Sequence, residues 1–125
     1  MTQHPRRYPD PFARMRKALA AGRRALGPWG VVVVRGRSMR PTLYDGDRLV
    51  VRHGAVPRPG RLAVVRLPDG VLAVKRVTMR RPDGWWVERD NPVEGVDSWR
   101  VGAIPDEDVV AVVRARLWPP RRRPL

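Results

Sequence analysis

The sequence predicts a small, mostly antiparallel β fold carrying one short helix near its N-terminus. Three observations point there. Valine- and leucine-rich runs of four to seven residues recur between turn signals, two Pro-Asp-Gly triplets (residues 68–70 and 82–84) separate pairs of such runs, and only residues 12–26 carry helical periodicity. With 125 residues and a hydrophobic content of 42%, the chain is long enough for a single core. The expected organisation is a basic arm over residues 1–27, a domain over 28–118 and a Pro/Arg-rich tail over 119–125.

Residues 1–11 are rich in Pro and Arg and are expected to be disordered. Phe12, Met15, Leu19 and Leu26 then fall near one helical face, with Arg14, Arg16, Lys17, Arg23 and Arg24 on the rest. This basic amphipathic helix is expected to pack on the domain. Peripheral contact with an acidic partner or a membrane surface is the alternative use. Gly27-Pro28 ends it. The apolar run 31–34 reads as a strand that stops at a sharp turn, residues 36–47. A strand over 48–52 follows, then a rigid loop over 56–60. Strands over 61–67 and 71–77 form a hairpin around the first Pro-Asp-Gly, and the second leads into a strand over 85–88. Residues 90–102 read as an irregular loop, and 109–118 as a last strand or strand pair.

The turn after the first strand holds Ser38. Gly36 allows close backbone approach, Pro41 stops a helix from forming, and Asp45-Gly46-Asp47 returns the chain to the next strand. A lone serine there is ordinarily loop filler. Lys75 changes the balance: among 26 basic residues only Lys17 and Lys75 are lysine, so arginine serves almost everywhere a charge alone is wanted. Lysine differs in that it can lose its proton when buried and act as a base, whereas arginine cannot. Strand alternation puts Lys75 on one face with Val71, Ala73 and Val77. An apolar face of this kind can lower its pKa from the ordinary ~10.4. The plain alternative is a lysine reaching out from a strand end.

Several function classes are disfavoured. The chain has no Cys and only His4 and His53 as histidines, so neither disulfides nor a protein-held metal site is expected, and no cofactor is implied. No apolar run approaches the roughly 18 residues of a membrane span and no signal-peptide pattern is visible, so the chain reads as cytoplasmic. The net charge of +14 invites nucleic acid, but the charge gathers at the ends and no recognition helix or zinc finger follows from the pattern. No specific nucleic-acid partner is expected.

The box Gly36-Arg37-Ser38-Met39-Arg40-Pro41-Thr42-Leu43 with Gly46-Asp47, then Lys75-Arg76, then Asp90-Asn91 and Asp97-Ser98 with Gly102, resembles the ordered boxes of the signal peptidase I-like serine-lysine proteases. The likeness runs from about residue 31 to 118. The short chain, Trp86-Val87 leading to Asp90-Asn91-Pro92, and Asp97-Ser98 are most similar to the nickel-type superoxide dismutase maturation proteases. The resemblance implies the small β fold of signal peptidases and self-cleaving repressors. It also implies Ser38 as nucleophile, Lys75 as general base, and an oxyanion and substrate-positioning turn at Gly36, Arg37 and Met39. Structural support is expected from Pro41, Thr42, Asp47, Arg76, Asp90, Asn91, Asp97 and Ser98. The implied partner is a precursor with an N-terminal leader, that of a nickel superoxide dismutase. A general signal peptidase, a self-cleaving regulator and a non-enzymatic basic adaptor are the alternatives.

The sequence departs from that family pattern at four places. Gly36 stands where many signal peptidases have a serine two residues before the nucleophile. Asp97-Ser98-Trp99-Arg100 replaces Asp-Ser-Arg. Gly95 corresponds to the serine that touches the lysine, with Ser98 as the candidate replacement. Arg89 stands where a glycine usually precedes Asp-Asn.

Overall fold

In the computed structural model of the protein, residues 27–120 and 123–125 are described. The helix expected at 12–26, and any contact it makes, lies outside them. Six strands run β1 Trp29–Val33, β2 Arg48–His53, β3 Leu62–Arg66, β4 Leu72–Arg81, β5 Gly84–Glu88 and β6 Val109–Trp118, with a short helix α1 at Ser98–Val101 and a 3-10 turn at Asp106–Asp108. They form one open sheet in the order β1-β2-β6-β3-β4-β5, every pair antiparallel. The last strand in sequence thus enters the middle of the sheet. Among the described residues no helix is long and apolar enough to cross a membrane.

β3 explains how so small a chain makes its core. Leu62 and Val64 join Val34, Met39, Leu43, Leu49, Val51, Ala111 and Val113 in one apolar cluster. Ala63 and Val65, on the other face, join Leu67, Val77, Trp85, Val87 and Ile104 in a second. A strand buried on both faces reads as a continuous apolar run rather than an alternating one, as residues 62–65 do. The register pairs Lys75 with Ala63, the smallest side chain in that run.

The strands depart from expectation mainly at their ends. The first begins two residues earlier, at Trp29, and the 71–77 strand runs on to Arg81. The extension has a cause: Arg80 and Arg81 pair with Trp85 and Gly84 across the turn. The Arg80 guanidinium also lies 5.1 Å from the Trp85 ring centre and bonds Asp106. Residues 109–118 form one strand, with register shifts against β2 and β3. The segment expected to be irregular contains α1, capped by Asp97, whose carboxylate accepts the Trp99 N–H at 3.2 Å.

β5 is closed on its outer side by a two-bond bridge, Trp85 N–H to Ile104 O and Ile104 N–H to Trp85 O, each 2.8 Å. Gly84 makes that approach possible. A Cβ there would lie 2.2 Å from the Ile104 carbonyl oxygen, and its φ of +143° is itself poor for other residues. Gly54, at φ +75°, has open space around it. Gly84→Ala should therefore lose about 2–4 kcal/mol and Gly54→Ala only about 1 kcal/mol in urea unfolding, the difference reporting the backbone clash. Equal losses would contradict the bridge.

Candidate active site

Ser38 sits in a loop closed at its base by backbone bonds, Val34 N–H to Asp47 O and Gly46 N–H to Val34 O, both 2.8 Å. Inside it, residues 37–43 form tight turns, Arg40 N–H to Arg37 O and both Thr42 and Leu43 N–H to Met39 O. Asp47, 1% exposed, accepts the Tyr44 N–H at 3.0 Å. Arg116 of β6 reaches in from below, donating to Thr42 O at 2.7 Å and lying 3.6 Å from Asp47. Met39 and Leu43, at 2% and 0% exposed, pin the loop to the first apolar cluster. The loop is thus held from its base, its core face and its side.

A second set of contacts ties this loop to β4. The Arg76 guanidinium grips both Asp90 oxygens, at 3.1 and 2.6 Å, and Thr42 Oγ1 donates to the same carboxylate at 2.6 Å. The next residue, Asn91, takes hold of the loop backbone: its N–H donates to Ser38 O and its Nδ2 to Arg37 O, both 2.9 Å. The Asp90 N–H is directed at Met39 Sδ, 3.3 Å away. Asp90-Asn91 is therefore a two-residue clamp between the strand carrying Lys75 and the turn carrying Ser38.

The clamp sets one short contact: Lys75 Nζ lies 2.9 Å from Ser38 Oγ. Lys75 is 2% exposed. Burial lowers its pKa from 10.5, the Asp97 carboxylate raises it in part, and the Arg89 guanidinium lowers it again. While charged, Nζ donates to Ser38 Oγ. Once neutral, the lysine can accept the serine proton along the same line, which is the arrangement an activated nucleophile requires. The charged form is disfavoured by folding, so Lys75 weakens the folded state at low pH. That penalty fades as pH rises from its lowered folded pKa towards 10.5.

The remaining sequence-flagged residues take varied places. The Gly36 N–H is already given to Asp45 Oδ1 at 2.8 Å, which removes it from the expected oxyanion cradle. Arg37 is exposed and lies 3.9 Å from Glu94. Among the described residues Ser98 makes no hydrogen bond to Lys75: its Oγ accepts the Val87 N–H at 2.8 Å, fastening α1 to β5. Nor does Gly95 leave room for the missing serine. A Cβ there would lie 2.4 Å from Ser38 Cβ, and φ is +126°. The backbone of residue 95 packs directly on the serine.

Sequence reasoning missed two arginines. Arg116 lies in a strand rich in arginine, and nothing local distinguishes it. Arg89 had a signal, as a charged residue in place of a glycine. It proves to be the ion-pair partner of Asp97, 3.3 Å away, and also donates to Asn91 O at 2.8 Å and Pro92 O at 3.2 Å. Arg100, to which the shifted motif pointed, donates its backbone N–H to Asp97 O at 2.9 Å.

A cleft of ≈280 Å³ opens beside Ser38 between β1 and β4, lined by Val32, Val33, Val34, Arg35, Met39, Val64, Leu72, Ala73 and Val74. Most of its lining side chains are apolar, with Arg35 and Ser38 the exceptions. Among the described residues no group of three or more His, Cys, Asp or Glu side chains is placed to hold a metal ion.

Residues 13–114, most of the chain, match the protein family described as Peptidase S24-like. No curated protein matches the sequence.

Burial pushes the Asp90 carboxyl up, but hydrogen bonds from Arg76 and Thr42 and the Arg76 charge outweigh it and hold the pKa below 3.8. A depressed carboxylate stabilises the fold above its unfolded pKa and loses that contribution as pH falls through the folded value. Asp90→Asn should therefore cost about 1–3 kcal/mol in urea unfolding at pH 7. The gap from the wild type should shrink once pH falls below 3.8. A gap independent of pH would contradict the charge-assisted clamp.

Proposed function

The chain belongs to the Peptidase S24-like family, and from that premise we propose that it is a serine-lysine endopeptidase that removes the N-terminal leader of a precursor protein. The 2.9 Å contact between Ser38 Oγ and the buried Lys75 Nζ carries this reading. Neutral Lys75 takes the Ser38 proton as Oγ adds to the scissile carbonyl carbon. The oxyanion accepts the Ser38 N–H. Collapse breaks the C–N bond, the departing amine takes the proton from Lys75, and the acyl group stays on Ser38. Water then adds to the ester with Lys75 again as base, releasing the leader's carboxylate and restoring the hydroxyl.

The substrate lies extended. β1 is an edge strand, and its Val33, 41% exposed, faces the cleft together with Leu72 of β4, 53% exposed. A leader added as a strand there would satisfy backbone bonds along its length and present its carbonyl to Ser38, while the apolar part of the lining selects small or apolar side chains before the cut. The precursor we assign is that of a nickel-type superoxide dismutase, to which the sequence boxes are most similar in their processing proteases. In such enzymes the free N-terminal amine is a metal ligand, and an amine held in a peptide bond cannot serve. One cut, made in the cytoplasm, creates it.

The family match also favours a second reading, self-cleavage of the chain. Incubating the purified protein alone at raised pH separates the two, since a self-cleaving regulator shortens itself without a partner.

With the precursor supplied, cleavage should yield one new N-terminus and nickel-loaded, active dismutase. Ser38→Ala and Lys75→Arg should each lower kcat/KM by about 10³-fold or more, an order of magnitude typical of losing a catalytic base; thermal stability should hold in Ser38→Ala and fall in Lys75→Arg, because a buried arginine cannot shed its charge. In the wild type kcat/KM should rise with pH along one ionisation below 10.5. Retained cleavage in Lys75→Arg, or a rate flat from about pH 6 to 10, would refute Lys75 as the base. Processing of exported preproteins instead of this precursor would refute the substrate alone.

A further inference from the structure

Lys75 is used as a base, yet a buried carboxylate belongs to its surroundings. Asp97 is 4% exposed and acts on Lys75 to favour the ammonium form. Such a charge works against the burial that lowers the Lys75 pKa. Burial opposes it, while the groups beside Lys75 add no opposing charge: β3 offers Ala63, the loop offers the Ser38 hydroxyl, and the neighbouring Arg76 is closed on Asp90.

Arg89 does oppose it. Its guanidinium lies 3.3 Å from Asp97 Oδ2, and its backbone N–H is directed at the same oxygen from 3.4 Å. Bonds to Asn91 O and Pro92 O fix the fork, so it cannot swing to water without releasing the loop. The same side chain packs under Gly95: a Cβ on that glycine would lie 3.1 Å from Arg89 Cδ and 2.4 Å from Ser38 Cβ. One residue thus neutralises the carboxylate and supports the backbone lying on the serine.

We propose that Arg89 is a positioning residue for this reaction, compensating Asp97 and holding the loop over Ser38 so that the buried Lys75 can become neutral within the folded enzyme. The proposal rests on Lys75 being the base, and deepens that reading. The direction of the Arg89 contribution to Lys75, opposite to that of Asp97, agrees with it.

The chain offers a direct readout, because Lys17 and Lys75 are its only lysines. Protein labelled with ¹³C-lysine gives two side-chain signals, assigned with Lys17→Arg, and each can be titrated by NMR. In Arg89→Gln the Lys75 signal should titrate at higher pH than in the wild type, with Lys17 unmoved. The rising limb of kcat/KM should move with it, so that activity at a fixed pH on that limb falls about tenfold. Arg89→Lys should recover most of the displacement, and Arg89→Gln with Asp97→Asn should cancel it, as expected of a coupled pair. Should Arg89→Gln fail to fold, Asp97→Asn alone serves, and must move the Lys75 titration to lower pH. An unmoved Lys75 titration in either folded variant overturns the proposal, even if activity is lost. If no variant and no wild type cleaves the precursor, the protease reading fails while the titration still decides the role of Arg89.

Discussion

The Arg76–Asp90–Thr42 bridge is the constraint on which the rest of this structure depends. Ser38 and Lys75 belong to segments far apart in the sequence, one a loop at the sheet's rim and the other a strand near its opposite edge. Their 2.9 Å contact survives only if loop and strand are registered to a fraction of an ångström. Aliphatic packing of Met39 and Leu43 fills volume but is non-directional. The bidentate guanidinium–carboxylate pair has a fixed geometry, and placing it one residue from Lys75 puts the directional restraint beside the Ser38–Lys75 contact. Asn91 then carries the restraint into the backbone of Arg37 and Ser38.

The same arrangement explains how a buried lysine is tolerated. Removing an ammonium from water destabilises the folded state unless the group sheds its proton. Lys75 stands opposite Ala63 in a strand buried on both faces, with Ser38 Oγ as its polar partner. The two apolar clusters that β3 bridges, together with the Gly84-dependent closure of β5, offset that cost elsewhere. Part of the stability of so small a sheet is thus given up at Lys75.

Much of this was legible in the sequence, for identifiable reasons. Strand existence followed from apolar runs between Pro-Asp-Gly turns, and the fold class with it. Lys75 stood out because lysine is rare in this chain, and it was Lys75 that lifted Ser38 above an ordinary loop serine. Sheet order was not legible: the entry of β6 between β2 and β3 is a non-local pairing without a local signature. The extension of β4 to Arg81 depends on Arg80 meeting Trp85 and Asp106. Arg116 gave no signal among so many arginines. Gly95 read as a missing hydroxyl, whereas in space it is a close approach that excludes any side chain, and Ser98 was engaged with β5 rather than free to replace it. Those facts live in tertiary distances of 2 to 3 Å, which spacing along the chain does not encode.

The central claim is that Ser38, activated by Lys75, becomes covalently acylated. The most direct measurement is the intact mass of the protein, acid-quenched during turnover of a peptidyl ester with a good leaving group, followed by fragmentation to locate the adduct. The account predicts a single acyl group on Ser38 in the wild type that disappears on longer incubation, and no adduct in Lys75→Arg. Turnover with no adduct on Ser38, or equal acylation in the absence of Lys75, would contradict it.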